Sequence, residues 1–196
     1  MSTKVEKQWR GRWAGSTVAC IASGPSLTPG DCETVHAARV PTIVTNTTFR
    51  LCPWADVLFG FDSRWWREHG GEVAKVFGGE KLTCSPMGKS LGVTTLHQEA
   101  WFQGFSNSGA AAISLAIVSG AARIVLLGYD CQKTGGKTHW HGDHPKTLGN
   151  AISMPRWPFH FKHVAKLARA AGSDVMNCSR ETALTCFPRA ELEDCL

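Results

Sequence analysis

The residues richest in chemistry lie in one stretch, Thr138-His139-Trp140-His141-Gly142-Asp143-His144-Pro145, which holds three of the eight histidines within six positions. Imidazole titrates near neutrality, so His141 or His144 can take a proton from an acceptor hydroxyl or stabilise charge on a leaving phosphate. In an extended segment His139 and His141 face the same way, as two metal ligands would, with Asp143 or His144 as a third. A hydrogen-bonded structural loop is the third reading of the same residues. The sequence offers no clear distant ligand in favour of the metal.

A second set of candidates is spread along the chain, and its members share a position after an apolar, β-like run. Residues 18–22 lead into Ser23-Gly24-Pro25-Ser26, residues 41–45 into Asn46, residues 55–61 into Asp62, and residues 123–128 into Tyr129-Asp130. Ser108-Gly109 opens the apolar stretch 110–118. Small donors beside helix N-termini suit the phosphate and ribose of a nucleotide, because each N-terminus carries free N–H groups and partial positive charge. The 23–26 turn is the expected anion cradle, with Gly24 admitting a close backbone approach and Ser23 and Ser26 supplying hydroxyls. It lacks the further glycines and the lysine of the common phosphate-binding loops, and alone it reads more readily as an ordinary connection. Asp62 and Ser108 read equally well as helix caps. As carboxylates at strand ends, Asp62 and Asp130 would be the ligands of Mg²⁺ in a phosphotransfer enzyme. Lys162, Lys166 and Arg169 form a basic stripe on a helix over 159–171 that follows Arg156-Trp157-Pro158; such a stripe is a solvated face or steers an anion. Residues 177–182 follow the last strand and would reach the same rim.

The elements that must position these residues alternate strand and helix from residue 17 to the end. That pattern predicts an α/β fold: a single domain with a mainly parallel, Rossmann-like sheet and helices on both faces, with ligands at the carboxyl ends of the strands. Helices are expected after Asp31, which would act as a cap, over 64–77, 110–118 and 159–171, with a short tail helix at 188–195. Strands are expected at 80–84 and 174–177, and a short one at 93–96. Residues 1–16 read as a polar arm, loose or docked, ahead of a domain over 17–196, and 131–155 as a long loop or lid.

Composition bounds the rest. At 196 residues and 43% hydrophobic the chain can bury one core, and 21 Lys+Arg against 16 Asp+Glu give a net charge of +5, which permits an anionic ligand without demanding one. No apolar run reaches the roughly 20 residues of a membrane span, and residues 1–12 lack the apolar centre of a signal peptide, so a cytoplasmic location is expected. The eight cysteines contain no C-x-x-C pair and read as reduced, buried small hydrophobes. Eight tryptophans stand against one tyrosine; they either stack on bases or sugars or fill the core.

The order A-S-G-P-S-L after the first strand, T-N-T-T-F after the second, S-N-S-G before an apolar helix and L-L-G-Y-D after the next strand, followed by a histidine-bearing loop, resembles the bacterial sialyltransferase-like fold. It is similar also to the related domain of archaeal 6-hydroxymethyl-dihydropterin pyrophosphokinase. The H-W-H-G-D-H-P loop and the N-C-S-R-E-T-A-L stretch resemble bacteriophage members of that superfamily. The resemblance runs from residue 18 to about 177. It implies a glycosyltransferase that uses a nucleotide-sugar donor, needs no resident cofactor and acts on a glycan or modified DNA, in the host cytoplasm if phage-encoded. The nucleotide-binding residues it implies are Ser23, Gly24, Pro25, Ser26 and Asn46, with Ser108 and Gly109 near the nucleotide and His141 or His144 as the catalytic histidine; the polar rim of strand ends adds Asp62 and Tyr129 to the nucleotide-binding set and Asp130 to the catalytic one. Those enzymes use tyrosines on the leaving phosphate, and this chain has only Tyr129. A Mg²⁺-dependent pyrophosphokinase-like enzyme is the first alternative, and a non-catalytic nucleic-acid-binding phage protein the second.

Overall fold

The computed structural model describes residues 4–97, 102–103, 105–145, 147–149 and 153–196. Seven parallel strands form one sheet in the order β5-β4-β3-β2-β1-β6-β7. The strands are β1 (Thr17–Ile21), β2 (Thr42–Thr45), β3 (Val57–Phe59), β4 (Glu80–Thr83), β5 (Thr94–Thr95), β6 (Arg123–Leu127) and β7 (Asp174–Asn177). From β1 the chain moves outward through β2 to β5, then returns to place β6 against the other side of β1. Strand order therefore reverses between β1 and β6, which opens a crevice at their carboxyl ends.

Beyond their first residues, Thr17 and Arg123, the central strands β1 and β6 are apolar throughout because both of their faces are covered. In β1, Val18 and Cys20 pack into one core and Ala19 and Ile21 into the other; in β6, Ile124 and Leu126 oppose Val125 and Leu127 in the same way. The first core lies beneath α4 (Ser108–Val118) and α5 (Trp157–Ala171), the second beneath α2 (Pro29–Ala38) and α3 (Ser63–Val76). Residues Gly109 to Ala116 of α4 are all buried. Its small side chains let it lie on the middle of the sheet while α5 covers it from outside.

Local chemistry sets the helix ends, with two departures from expectation. Asp31 is not the cap of α2: Thr28 caps it, and Asp31 three residues on accepts from the Thr28 backbone at 2.9 Å while the Thr28 hydroxyl accepts from Asp31 N–H at 3.2 Å. This reciprocal pair is a capping box, with Pro29 in the first turn. Likewise Asn107, and not Ser108, caps α4, accepting from Ala110 N–H at 3.1 Å. Asp62 caps α3 as expected, accepting from Arg64 N–H at 2.7 Å.

Residues 188–195 do not form the expected tail helix. Asn177 N–H donates to Pro188 O at 2.8 Å and Asn177 pairs with Arg189 in a parallel bridge. The open edge of β7 thus competes for the backbone groups a helix would use, and the tail covers that edge. The described part of the N-terminal arm, residues 4–16, is docked. It contains α1 (Lys4–Trp9), and after it Gly11, Trp13 and Gly15 donate to the carbonyls of Val118, Ser119 and Gly120. These are carbonyls at the C-terminal end of α4, which has no further turn to satisfy them. Trp9 is fully buried against the first core. Trp9→Ala should therefore cost about 3–5 kcal/mol in denaturant unfolding; an arm lying loosely on the surface would give no change.

Candidate functional site at the carboxyl edge of the sheet

The carboxyl ends of five strands open onto one cavity of about 790 Å³. Ser23 after β1, Asn46 after β2, Asp62 after β3, Ser85 after β4 and Asp130 after β6 all line it. Across from them stand the N-terminus of α4, the histidine loop and the start of α5 with Arg156 and Trp157.

The turn after β1 does not offer the free cradle its sequence suggests, because an internal carboxylate fills it. Asp130, fully buried, accepts from Ser26 N–H at 2.9 Å, from the Ser26 hydroxyl at 2.8 Å and from the Thr134 hydroxyl at 2.9 Å. Burial raises its proton affinity, and the bonds from Ser26 and Thr134 oppose that rise. Gly24 N–H donates to Gly128 O at 2.8 Å, and the Ser23 hydroxyl meets Thr48 at 2.9 Å and Thr45 O at 3.3 Å. A Cβ on Gly24 would collide with the Asp130 carboxylate and the Gly128 carbonyl. Gly24 is thus required for the close approach of two chain segments. Asp130 is a tie across the strand reversal, and the hydroxyls of Ser23 and Ser26 are engaged within the protein.

The segment after β7 closes this tie from outside. Ser179 accepts from Tyr129 N–H at 2.8 Å, Thr182 donates to Tyr129 O at 2.8 Å, and Ala183 N–H donates to Asp130 O at 2.8 Å. Arg180 forms an ion pair with Asp31 at 2.6 Å. Tyr129 itself points into the first core, and its hydroxyl donates to Gly109 O at 3.1 Å. Burial pushes its pKa well up, so it is a packing residue that fixes the first turn of α4.

Donors remain at that helix end. Ser108 Oγ accepts from Phe61 N–H at 3.0 Å and donates to Asn46 Oδ1 at 3.3 Å, linking β2, β3 and α4. The amide hydrogens of Asn46 have no partner among the described residues. Asn46, Phe105, Ser106 and Cys131 adopt positive φ of 49–53°, and three of these four line the cavity. Backbone held in that region by non-glycine residues stores strain of order 1 kcal/mol or more each, a feature that clusters at ligand sites. The cysteines on the wall are held as thiols: burial pushes Cys84 up to about 12 and Cys131 higher still.

The histidine loop is attached to the same turn. Trp140 N–H donates to Ser23 O at 3.2 Å, Gly142 N–H closes a turn on His139 O at 3.1 Å, and Thr138 donates to Asp143 at 3.0 Å. The rings of His139 and His141 stack at 5.1 Å and 6°, and His144 meets them at 4.7 and 4.8 Å. His139 and His144 face the cavity, whereas His141 stands behind them. Burial, then the neighbouring imidazoles, hold His141 down to about 3 and His144 to about 4; burial also lowers His139. All three are neutral at pH 7.

Asp143, a candidate ligand by spacing, is engaged by Thr138. His69 of α3 is a neighbour that sequence reasoning missed: its ring lies 6.5 Å from His144, and its Nε2 is buried without a partner. Nothing local marks it, since the contact joins residues 75 apart in the sequence. Of the tryptophans, Trp9, Trp65 and Trp66 are core residues, and Lys162, Lys166 and Arg169 occupy an exposed face of α5. Comparison with protein-family models, with curated proteins and with solved structures returns no match to this chain.

Two measurements follow from this geometry. Asp130→Ala leaves three donors unmet and should cost about 3 kcal/mol, whereas Asp130→Asn keeps an acceptor toward Ser26 N–H and should cost about 1 kcal/mol; equal effects would contradict the tie. Because folding lowers the histidine pKa values, the unfolded chain binds more protons. The corresponding stability is complete above the ordinary imidazole value of 6.5 and is lost as pH falls toward about 4. Denaturant unfolding in EDTA should show a loss on the order of 2 kcal/mol between about pH 6.5 and 4.5, reduced in His144→Ala. A flat profile would contradict the assignment.

Proposed function

We propose that this protein is a group-transfer enzyme that takes a nucleotide-activated donor in the switch-point cavity, and that the group transferred is a glycosyl unit. One observation carries the reading. A cavity of about 790 Å³ at the reversal of strand order is bounded by the open N-terminus of α4 on one side and a wall of neutral imidazoles on another. The volume suits a ligand of nucleotide size.

The donor phosphate lies against the N-terminal turn of α4, where backbone N–H groups and the helix dipole favour negative charge. Arg156 at the rim adds a cation, and Asn46 supplies amide donors. An acceptor hydroxyl then attacks the donor carbon. The carbon–oxygen bond to phosphate breaks and its electron pair leaves on the phosphate. The hydroxyl proton passes to His144, whose proton affinity rises as negative charge develops beside it. Asp62 and Asp130, the carboxylates a magnesium-dependent phosphotransfer would use, cap α3 and hold Ser26, so glycosyl transfer is the reading we favour.

A thermal-shift panel of nucleotides and nucleotide sugars tests this. A true ligand at 100 times its Kd stabilises by about 2.7 kcal/mol, which raises Tm by roughly 5–10 °C in a chain of this size. Asn46→Ala and Arg156→Ala should each reduce the shift. If no member of the panel raises Tm, the reading fails.

A further inference from the structure

Among the described residues, three buried side-chain nitrogens of the histidine loop have no hydrogen-bond partner, Trp140 Nε1 and two imidazole nitrogens. The Nε2 atoms of His139 and His141 are shielded from solvent and accept or donate no hydrogen bond. A buried polar atom left unmet costs about 1–3 kcal/mol, and here two lie in stacked rings at the edge of a cavity that could have left them wet. The nucleotide reading does not explain them, because His141 does not reach the cavity. The loop nevertheless holds the rings together through three tethers: Trp140 N–H on Ser23 O, the turn closed by Gly142, and Thr138 on Asp143.

We infer that His139, His141 and His144 form a binding site for one divalent transition-metal ion, zinc by the nature of its donors, with a fourth position open to the cavity. One ligand nitrogen from each residue lies within 4.8 Å of the others. Tetrahedral zinc with bonds of 2.0–2.1 Å needs ligand nitrogens about 3.4 Å apart, so the nitrogens close by up to about 1.4 Å on binding. Three neutral imidazoles favour zinc and its first-row neighbours over magnesium or calcium, which take oxygen ligands. The surrounding charge is compatible with a cation. Arg50, a fixed positive charge that acts on His141 and His144, is bound in two-point fashion by Glu72 at 2.6 and 2.8 Å. His69 faces the cluster from α3 as a neutral ring.

Three protein ligands and one open position is the arrangement of a zinc ion that acts on a bound molecule, as distinct from a closed structural site. Because His139 and His144 line the cavity and His141 closes the far side, the open position meets a water or a phosphate oxygen of the cavity ligand. In the transfer reaction a water on the ion that has released one proton to solvent would then take the acceptor proton and become water again, in place of His144, whose nitrogen the ion occupies. Only this last role rests on the group-transfer reading.

Titration of the purified, EDTA-treated chain with Co²⁺, without nucleotide, tests the site separately from the cavity ligand. One equivalent should bind with the visible absorption of a tetrahedral ion, and Zn²⁺ should displace it. His139→Ala, His141→Ala and His144→Ala should each weaken binding by about 100-fold or more, since loss of even an outer partner costs 10–100-fold. Asp143→Ala should retain it. The cobalt form of the unaltered chain should also show three paramagnetically shifted imidazole N–H resonances, a readout that stands if a variant fails to fold. Absence of a tetrahedral spectrum, fewer than three such resonances, or binding unchanged in His141→Ala overturns the inference. Metal binding without any nucleotide response leaves the site in place and removes the group-transfer reading.

Discussion

The carboxylate of Asp130 is the constraint on which the rest of this edge depends. A parallel sheet whose strand order reverses leaves two adjacent strands diverging into different connections, and the crevice between them is stable only if something holds its walls. Here a single buried side chain at the end of β6 takes three hydrogen bonds, two of them from Ser26 in the turn after β1. In the low dielectric of the interior such bonds to a charge are strong, and leaving their donors unmet is correspondingly expensive. Gly24 and Gly128 allow the backbones to come close enough for the bonds to form.

That tie has consequences in both directions from the crevice. Toward the tail, residues 179–183 bond to the backbone of Tyr129 and Asp130, so the chain after β7 is committed to the rim and then to the open sheet edge. Toward the ligand side, the fixed turn presents Ser23 O to Trp140 N–H and so sets where the histidine loop begins. The internal carboxylate also decides where an external anion can go. With the Ser26 donors spent on Asp130, Gly24 N–H on Gly128 O and the Ser23 hydroxyl on Thr45 and Thr48, the N-terminus of α4 becomes the place for a phosphate.

Much of the architecture was legible in the sequence because it rests on local pattern. The apolar runs at 18–22 and 123–128 announce strands buried on both faces, the small-residue stretch at 110–118 announces a helix pressed onto a sheet, and Asp62 announces a cap; β7 at Asp174–Asn177 falls where its pattern puts it. The rim was legible too, since a parallel sheet collects its polar strand ends at one edge. What escaped depends on partners distant in sequence. No spacing rule reveals that Ser26 and Asp130, 104 residues apart, satisfy each other, and the helical character of 188–195 yields to an edge strand that local propensity does not see. The three histidines could be seen as a group, but Asp143 could not be told from His144 as the third candidate ligand until the turn that engages Asp143 was in view.

The most direct test of the account is a crystal structure of the chain with a bound nucleotide. The account predicts the phosphate within hydrogen-bond distance of the backbone N–H groups at Ser108 and Gly109, with Asp130 still holding Ser26. A phosphate seated in the 23–26 turn with the Asp130 carboxylate displaced would contradict it, as would a nucleotide bound outside the cavity.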